Sequence, residues 1–366
     1  MHVAILAGSL SRGGTERVIV NLAEYMIGCG DTVTLVTQFL SENEYELPNG
    51  VSRIISGLTD EETTKDRIKN ILLRHKKLKN IWIDIKPDII LSFIGKNNFM
   101  AVSTAKGLNI PVAVCVRALP ELEYPNPLMK ALTGLLFTKA DAVILQTAEQ
   151  KSFFSARVKR RAYILKNPID SAFLRKPYEG IRDKEIVSVG RIDENKNHRM
   201  IIDAFAPLTE KYPDWRVKIY GEGQQRDELI RYVKERGLEQ QISLPGRISD
   251  VAGSIEKASI FILSSDTEGS PNALIEAMCL GICCISTDCP CGGPAELIEN
   301  NTNGILIPVR GTDKLQEVLQ NLLGDLQRID KIGHTSLKTR DIYNPEAVLG
   351  SWRELLENLV NTRRTL

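Results

Sequence analysis

Three short stretches concentrate the residue types that hold phosphates and sugar hydroxyls. The first is AGSLSRGGTERV, residues 7–18, directly after the apolar run His2–Leu6. A strand, a glycine turn and a helix start would bring bare backbone N–H groups and the positive helix end together, a setting that suits an anion. Gly8, four residues and Gly13 approach a nucleotide phosphate loop, but Gly14 stands where that loop has its lysine. Gly13 and Gly14 then offer close approach rather than charge, although a tight turn alone accounts for them equally well. The absence of G-x-G-x-x-G argues against a dinucleotide oxidoreductase.

The second stretch, Gly190-Arg191-Ile192-Asp193-Glu194-Asn195-Lys196-Asn197, follows the strand-like run EIVSVG. It places Arg191 and Lys196 at a strand's C-terminal end, a forked donor and a point charge suited to a diphosphate. Taken alone, both residue types are ordinary on a surface. The third is SSDTEGSPNALIEAMCLGICCISTD, residues 264–288. Gly269-Ser270-Pro271 turns the chain, Asn272 is expected to cap a helix, and the amides of Ala273, Leu274 and Ile275 are expected to be free for a ligand. Glu268 and Glu276 can each accept paired hydrogen bonds from vicinal diols. A helix-favouring acid explains Glu276 as well, but not the Ser-Pro-Asn beside it.

The elements that position these residues alternate between short apolar runs and helical stretches, the mark of parallel βαβ units. Strand-like runs fall at 3–6, 32–37, 52–55, 88–93, 112–116, 142–147 and 162–165, then again at 185–190, 215–221, 242–246, 260–265, 283–287 and 304–309. Helical spacing predicts Glu16–Gly28, Lys65–Ile85 and Leu128–Thr138. The class is therefore α/β: two tandem Rossmann-like, doubly wound domains, expected to face each other across a cleft at their C-terminal sheet edges. Domain limits are expected at 1–168 and 185–344. A Pro- and charge-rich linker is expected at 169–184, and 345–366 is expected as a helix returning to the first domain.

A chain of 366 residues accommodates two full cores, and 43% hydrophobic with 25% charged residues is ordinary globular composition. A net charge of +1 gives no reason to expect nucleic acid. With neither a signal peptide nor a membrane-length apolar run legible, the expected location is cytoplasmic, peripheral to the membrane at most. Of seven cysteines, five lie between Cys279 and Cys291. They lack a paired C-x-x-C knuckle, and Cys283 and Cys284 would point to opposite faces of a strand, so buried reduced thiols are expected rather than structural zinc. Residues 65–85 carry seven cations among Ile68, Ile71, Leu72, Leu78, Ile81 and Trp82. This helix reads either as a solvated face over a core stripe or as a basic face on an anionic membrane surface.

Glu268 and Glu276, with seven residues between them, form an E-x7-E motif, and EGSPNALIEAMCLGICCISTD resembles the signature of the retaining GT-B glycosyltransferases, "glycosyl transferases group 1". The likeness runs through GGTE, KNPID, GRIDENKN, IYGEG, LPGRISDV and GGPAELIENNTNGILIP in order. The resemblance implies that Glu276 holds the nucleotide ribose, and that Glu268 with Gly269, Ser270, Asn272, Ala273 and Leu274 holds the donor sugar. It further implies that Arg191 and Lys196 bind the diphosphate, Gly13 and Gly14 approach it, and Arg247 and Ile248 border the base. The implied chemistry is front-face substitution with retention, the departing phosphate assisting deprotonation of the acceptor. No cofactor is implied. No D-x-D occurs, the nearest being Asp266-Thr267-Glu268, so no bridging metal is expected.

Where many relatives carry a histidine after the fifth strand, VAVCVRALPEL has Arg117, which can stabilise an oxyanion or grip an acceptor phosphate but cannot act as a base. The expected partners are a nucleotide-sugar donor, UDP-linked, and a glycan or lipid-linked acceptor of bacterial surface-polysaccharide assembly. A nucleotide-sugar 2-epimerase and a non-catalytic nucleotide-sugar-binding protein are the alternatives.

Overall fold

In the computed structural model, which describes residues 1–365, the chain forms two compact units. The first comprises Met1–Pro168 and the C-terminal helix Pro345–Arg364; the second is Ile169–Asn344. Unit 1 is built on a seven-stranded sheet: β1 (His2–Ala7), β2 (Thr32–Thr37), β3 (Ser52–Ile55), β4 (Ile89–Phe93), β5 (Val112–Cys115), β6 (Ala142–Leu145) and β7 (Ala162–Ile164). All pairings are parallel, in the order β3-β2-β1-β4-β5-β6-β7. The six strands of unit 2 are β8 (Asp183–Val189), β9 (Arg216–Tyr220), β10 (Ile242–Gly246), β11 (Ala258–Leu263), β12 (Cys283–Thr287) and β13 (Ile305–Ile307). Their order is β10-β9-β8-β11-β12-β13, again parallel. Every strand-like run in the sequence is a strand; the central strands read as uninterrupted apolar runs because a parallel sheet is covered on both faces, while the edge strands β3 and β7 are largely exposed. β4 and β11 are buried along their whole length.

Helices cover both faces. On one face of unit 1, α1 (Gly14–Gly28) buries Val18, Ile19, Leu22, Ala23 and Met26 in a core shared with the C-terminal helix, which contributes Val348, Leu349, Trp352, Leu356 and Val360. The expected return of residues 345–360 to the first domain is thus a core contact. On the other face lie α2 (Arg67–Ile85), α3 (Gly95–Thr104), α4 (Pro120–Glu123) and α5 (Pro127–Leu136). α2 starts two residues later than expected because Asp66 caps it, accepting the N–H groups of Ile68 and Lys69. Asn126 caps α5 in the same way, through Met129 N–H.

The stretch expected as a linker belongs instead to unit 2. Ile169 and Phe173 are 3% exposed and pack in its core, on the helix Asn272–Cys279. Two apolar anchors among many charges were too few to read as packing. Cys283 and Cys284 do separate to opposite faces, one into each core of unit 2, and burial pushes the Cys283 thiol up to about 12. Among the described residues no helix is long and apolar enough to cross a membrane.

Candidate functional site

Both sheets reverse strand order at one point, between β1 and β4 and between β8 and β11, and open α/β sheets take ligands at such points beyond the strands' C-terminal ends. In unit 2 the loops 190–197 and 264–272 flank that point. They are tied to each other: Asp266 N–H donates to the Asn195 carbonyl at 2.7 Å, Thr267 Oγ1 to Asn195 Oδ1 at 2.7 Å, and Ser264 Oγ to the Lys196 carbonyl at 2.7 Å. The β12 end joins through Thr287 Oγ1 on the Ser265 carbonyl at 2.6 Å. Glycines permit this closeness. A Cβ on Gly221, at φ 144°, would lie 1.8 Å from the Gly190 oxygen, and one on Gly293 would lie 1.9 Å from the Gly269 oxygen.

Within this frame the Lys196 ammonium lies 2.5 Å from Glu268 Oε1, which also accepts Ser265 Oγ–H at 2.6 Å. Both side chains are largely buried, at 19% and 11% exposure. The two residues expected to serve phosphate and sugar separately are therefore one ion pair. Arg191 stands apart, exposed and 3.2 Å from Asp193. Glu276 is buried on the helix Asn272–Cys279. Gly269 and Ser270 form the turn before that helix, Arg247 is exposed just after β10, and Ile248 packs partly on the unit 2 core.

Two expectations at this helix are corrected. Pro271, not Asn272, occupies the cap position, and Asn272 is the first helical residue. The amides of Leu274 and Ile275 are not free, because both donate to the Pro271 carbonyl, at 2.9 and 3.1 Å. Proline, which lacks an N–H but has its φ set for a helix start, closes the turn through its own oxygen. Of the three amides, only that of Ala273 has no partner among the described residues.

In unit 1, Gly13 sits in extended backbone as the cap of α1 and Gly14 is its first residue, so neither needs a left-handed conformation. Glu44, which sequence reasoning missed, holds the loop. Its carboxylate accepts Leu10 N–H at 3.1 Å and Ser41 N–H at 3.0 Å, and pairs with Arg53 at 2.6 Å. The Arg53 hydrogen bond draws its pKa from 4.5 down to about 2. Since the folded value lies below the unfolded one, this contribution is complete above about pH 4.5 and is lost as pH falls toward 2. Exchange of the Leu10 amide should accelerate over that interval, and Glu44→Gln should be fast and pH-insensitive across it once intrinsic chemistry is subtracted.

Arg117 follows β5 and is buried. Its guanidinium lies 5.8 Å from the Phe93 ring and 5.7 Å from the Trp352 ring, and donates to Asn167 Oδ1. Nε and Nη1 have no partner among the described residues. Burial pushes its pKa down to about 10 against the pull of Cys115 and Glu123. Glu123, also missed, accepts Gly95 N–H at 2.6 Å, Arg117 N–H at 3.1 Å and Tyr124 O–H at 2.9 Å, bracing the loops after β4 and β5. Burial pushes its pKa above the ordinary range against those donors.

The largely buried Lys196–Glu268 pair at the switch point of unit 2 accompanies a match over nearly the whole chain. Residues 173–336 match the family model described as glycosyl transferases group 1, and residues 12–173 match that of glycosyltransferase family 4. The chain belongs to the group 1 glycosyltransferases. It is 25% identical, over 99% of both chains, to the Campylobacter jejuni GalNAc-alpha-(1->4)-GalNAc-alpha-(1->3)-diNAcBac-PP-undecaprenol alpha-1,4-N-acetyl-D-galactosaminyltransferase. To the N-acetylgalactosamine-N,N'-diacetylbacillosaminyl-diphospho-undecaprenol 4-alpha-N-acetylgalactosaminyltransferase of the same organism it is 28% identical, over 92% of this chain and 94% of that one. The crystal structure of Anabaena HepE in complex with UDP superposes with a TM-score of 0.81 at 15% identity, covering 98% of this chain and 100% of that one, so the group 1 chain has the two-domain GT-B fold.

Proposed function

We propose that this glycosyltransferase moves a sugar, with retention, from a UDP-sugar to a glycan acceptor carried on a lipid diphosphate, and that it needs no divalent metal for the transfer. The observation that carries this reading is the Lys196–Glu268 pair, with Ser265, at the C-terminal sheet edge of unit 2. A departing nucleoside diphosphate gathers negative charge, and a fixed ammonium in a largely buried setting stabilises that charge more in the transition state than in the ground state. The donor diphosphate would share Lys196 with Glu268, leaving the carboxylate's second oxygen for a sugar hydroxyl. Arg191 adds a second cation from solvent, and Glu276 takes the ribose. Arg117, with its nitrogens turned inward, acts through the loop it holds and through its charge rather than by contact. The relatives' names, which specify diphospho-undecaprenol-linked acceptors, support the acceptor class, and the UDP complex of HepE supports the nucleotide. A carrier of that kind resides in a bilayer, and the basic residues 65–85 are the surface we assign to meet it.

The test is incubation with labelled UDP-sugars and undecaprenyl-diphosphate-linked glycans in the presence of EDTA, with the anomeric configuration of the product read by NMR. Transfer with retention supports the reading. An isomerised donor, or binding with neither product, replaces it with epimerisation or with simple binding. Glu276→Ala should weaken UDP binding by about 1.5–3 kcal/mol, the value of a charge-assisted hydrogen bond, while kcat at saturating donor stays within a few-fold. Calorimetry showing unchanged UDP affinity would remove Glu276 from the ribose.

A further inference from the structure

α5 has two apolar faces and only one core to bury them in. Met129, Thr133 and Leu136 turn inward. Outward lie Leu128, Ala131 and Leu135, spaced i, i+3, i+7, with Leu132 half-buried beside them; Leu128 is 70% and Leu135 56% exposed. The sequence PLMKALTGLL contains Lys130 and no acid. A solvent-facing helix of this chain looks different: RDELIRYVKE, residues 226–235, is charged on its outer face.

A second exposed apolar group lies nearby. α3 packs against both α2 and α5, so the three helices line one face of the unit 1 sheet. α2 leaves Ile68 71%, Ile71 51% and Leu72 64% exposed, and Leu122 of α4 is 63% exposed. Because the helices run back against parallel strands, the starts of α2 and α5 lie toward the C-terminal edge of the sheet, where Glu123 and Arg117 brace their loops. α2 itself carries Arg67, Lys69, Arg74, Lys76, Lys77 and Lys79 against a single acid, Asp84, although Asp66 caps it, Lys77 is paired with Glu62 at 2.9 Å, and Glu121 is exposed beside Leu122. Exposed leucines at helical spacing on the same sheet face as a cationic helix, with α3 between the two, match the two demands of an anionic bilayer, apolar insertion to the acyl boundary and attraction to the headgroups.

We infer that α5 inserts Leu128 and Leu135 into the interfacial zone of an anionic phospholipid bilayer, with α2, across α3 on the same sheet face, supplying the electrostatic attraction. This rests on, and deepens, the assignment of residues 65–85 to a membrane surface. It adds that a second helix is the inserting element.

The experiment is sedimentation of the full chain with vesicles of phosphatidylethanolamine and phosphatidylglycerol, and with phosphatidylcholine alone. The wild type is compared with Leu128→Ser/Leu135→Ser and with Lys69→Glu/Lys76→Glu; all these residues are exposed, and UDP binding with thermal melting verifies the fold. Losing two cations should cost about fivefold each on anionic vesicles, and reversing their sign more. The leucine pair should cost about tenfold or more and remove the binding that survives 0.5 M salt. An environment-sensitive fluorophore on Leu128→Cys, in a Cys29→Ser background, should shift to the blue with anionic vesicles. A wild type that ignores anionic vesicles overturns the membrane assignment altogether. Binding lost with the lysines but intact in the leucine variant, with no spectral shift, leaves α2 at the surface and overturns insertion by α5.

Discussion

Lys196→Ala should lower kcat by about 10²–10³, the cost of removing one preorganised stabiliser of transition-state charge, while the Kd for UDP changes by less than about tenfold. The asymmetry follows from the geometry. In the resting pair the ammonium is neutralised by Glu268 at 2.5 Å, so a bound diphosphate gains only the part of its attraction that exceeds this bond. As the sugar–phosphate bond breaks, the charge on the leaving oxygen rises and the balance tips to the phosphate. Lys196→Arg should not rescue. The lysine stem runs over Gly190, whose hypothetical Cβ would lie 3.5 Å from Lys196 Cε, and a planar fork does not fit where a point charge sits between loop and carboxylate. Single-turnover kinetics with a UDP-sugar alongside UDP titration checks both quantities. Equal losses in kcat and in UDP affinity would move Lys196 from leaving-group stabilisation to simple nucleotide binding.

Trp352→Ala should destabilise unit 1 by about 3–5 kcal/mol, the range for truncating a fully buried aromatic. The indole is 0% exposed, stacks on Phe93 at 6.3 Å between ring centroids and donates its N–H to the Lys166 carbonyl at 2.9 Å. Its ring also covers the Arg117 guanidinium, so truncation opens a void beside a buried cation. Trp352→Phe, which keeps most of the packing, should cost less than half as much. Urea unfolding followed with residue-specific probes should show the loss in the transition of unit 1, the transition of unit 2 holding its midpoint. A shift of both midpoints together would mean that the units unfold as one.

Strand positions and class were legible because thirteen parallel strands, the central ones buried along their length, leave short apolar runs in a regular rhythm. The helices were less so. α3 begins GKNN and carries no clear stripe, since it packs between two other helices as well as on the sheet. At the site, Lys196, Glu268 and Glu276 were visible because glycine, proline and charge cluster around strand ends. That Lys196 and Glu268 bond to each other was not visible, because 72 residues separate them and only strand order, β8 beside β11, brings them together. Glu44 and Glu123 were invisible for a related reason: each acts by collecting backbone N–H groups, and nothing in residue type announces which amides a distant carboxylate will meet. The cap at Pro271 was misplaced by a single residue, since Asn and Pro are both favoured at helix starts and only the backbone decides between them.

The first strand and the final helix lie in the same unit, with 169–344 between them, and the chain's own ends make the closure: the Met1 ammonium and the Arg353 guanidinium both bond to Asp31, at 2.9 and 2.7 Å. On the ribosome this fixes an order of events. Unit 1, begun first, lacks Trp352 and its neighbours until all of unit 2, Ile169–Asn344, has been synthesised ahead of them. The N-terminal half must therefore wait through the synthesis of a whole second domain with one face of its sheet uncovered, and nascent chains halted before residue 345 should be those that chaperones retain.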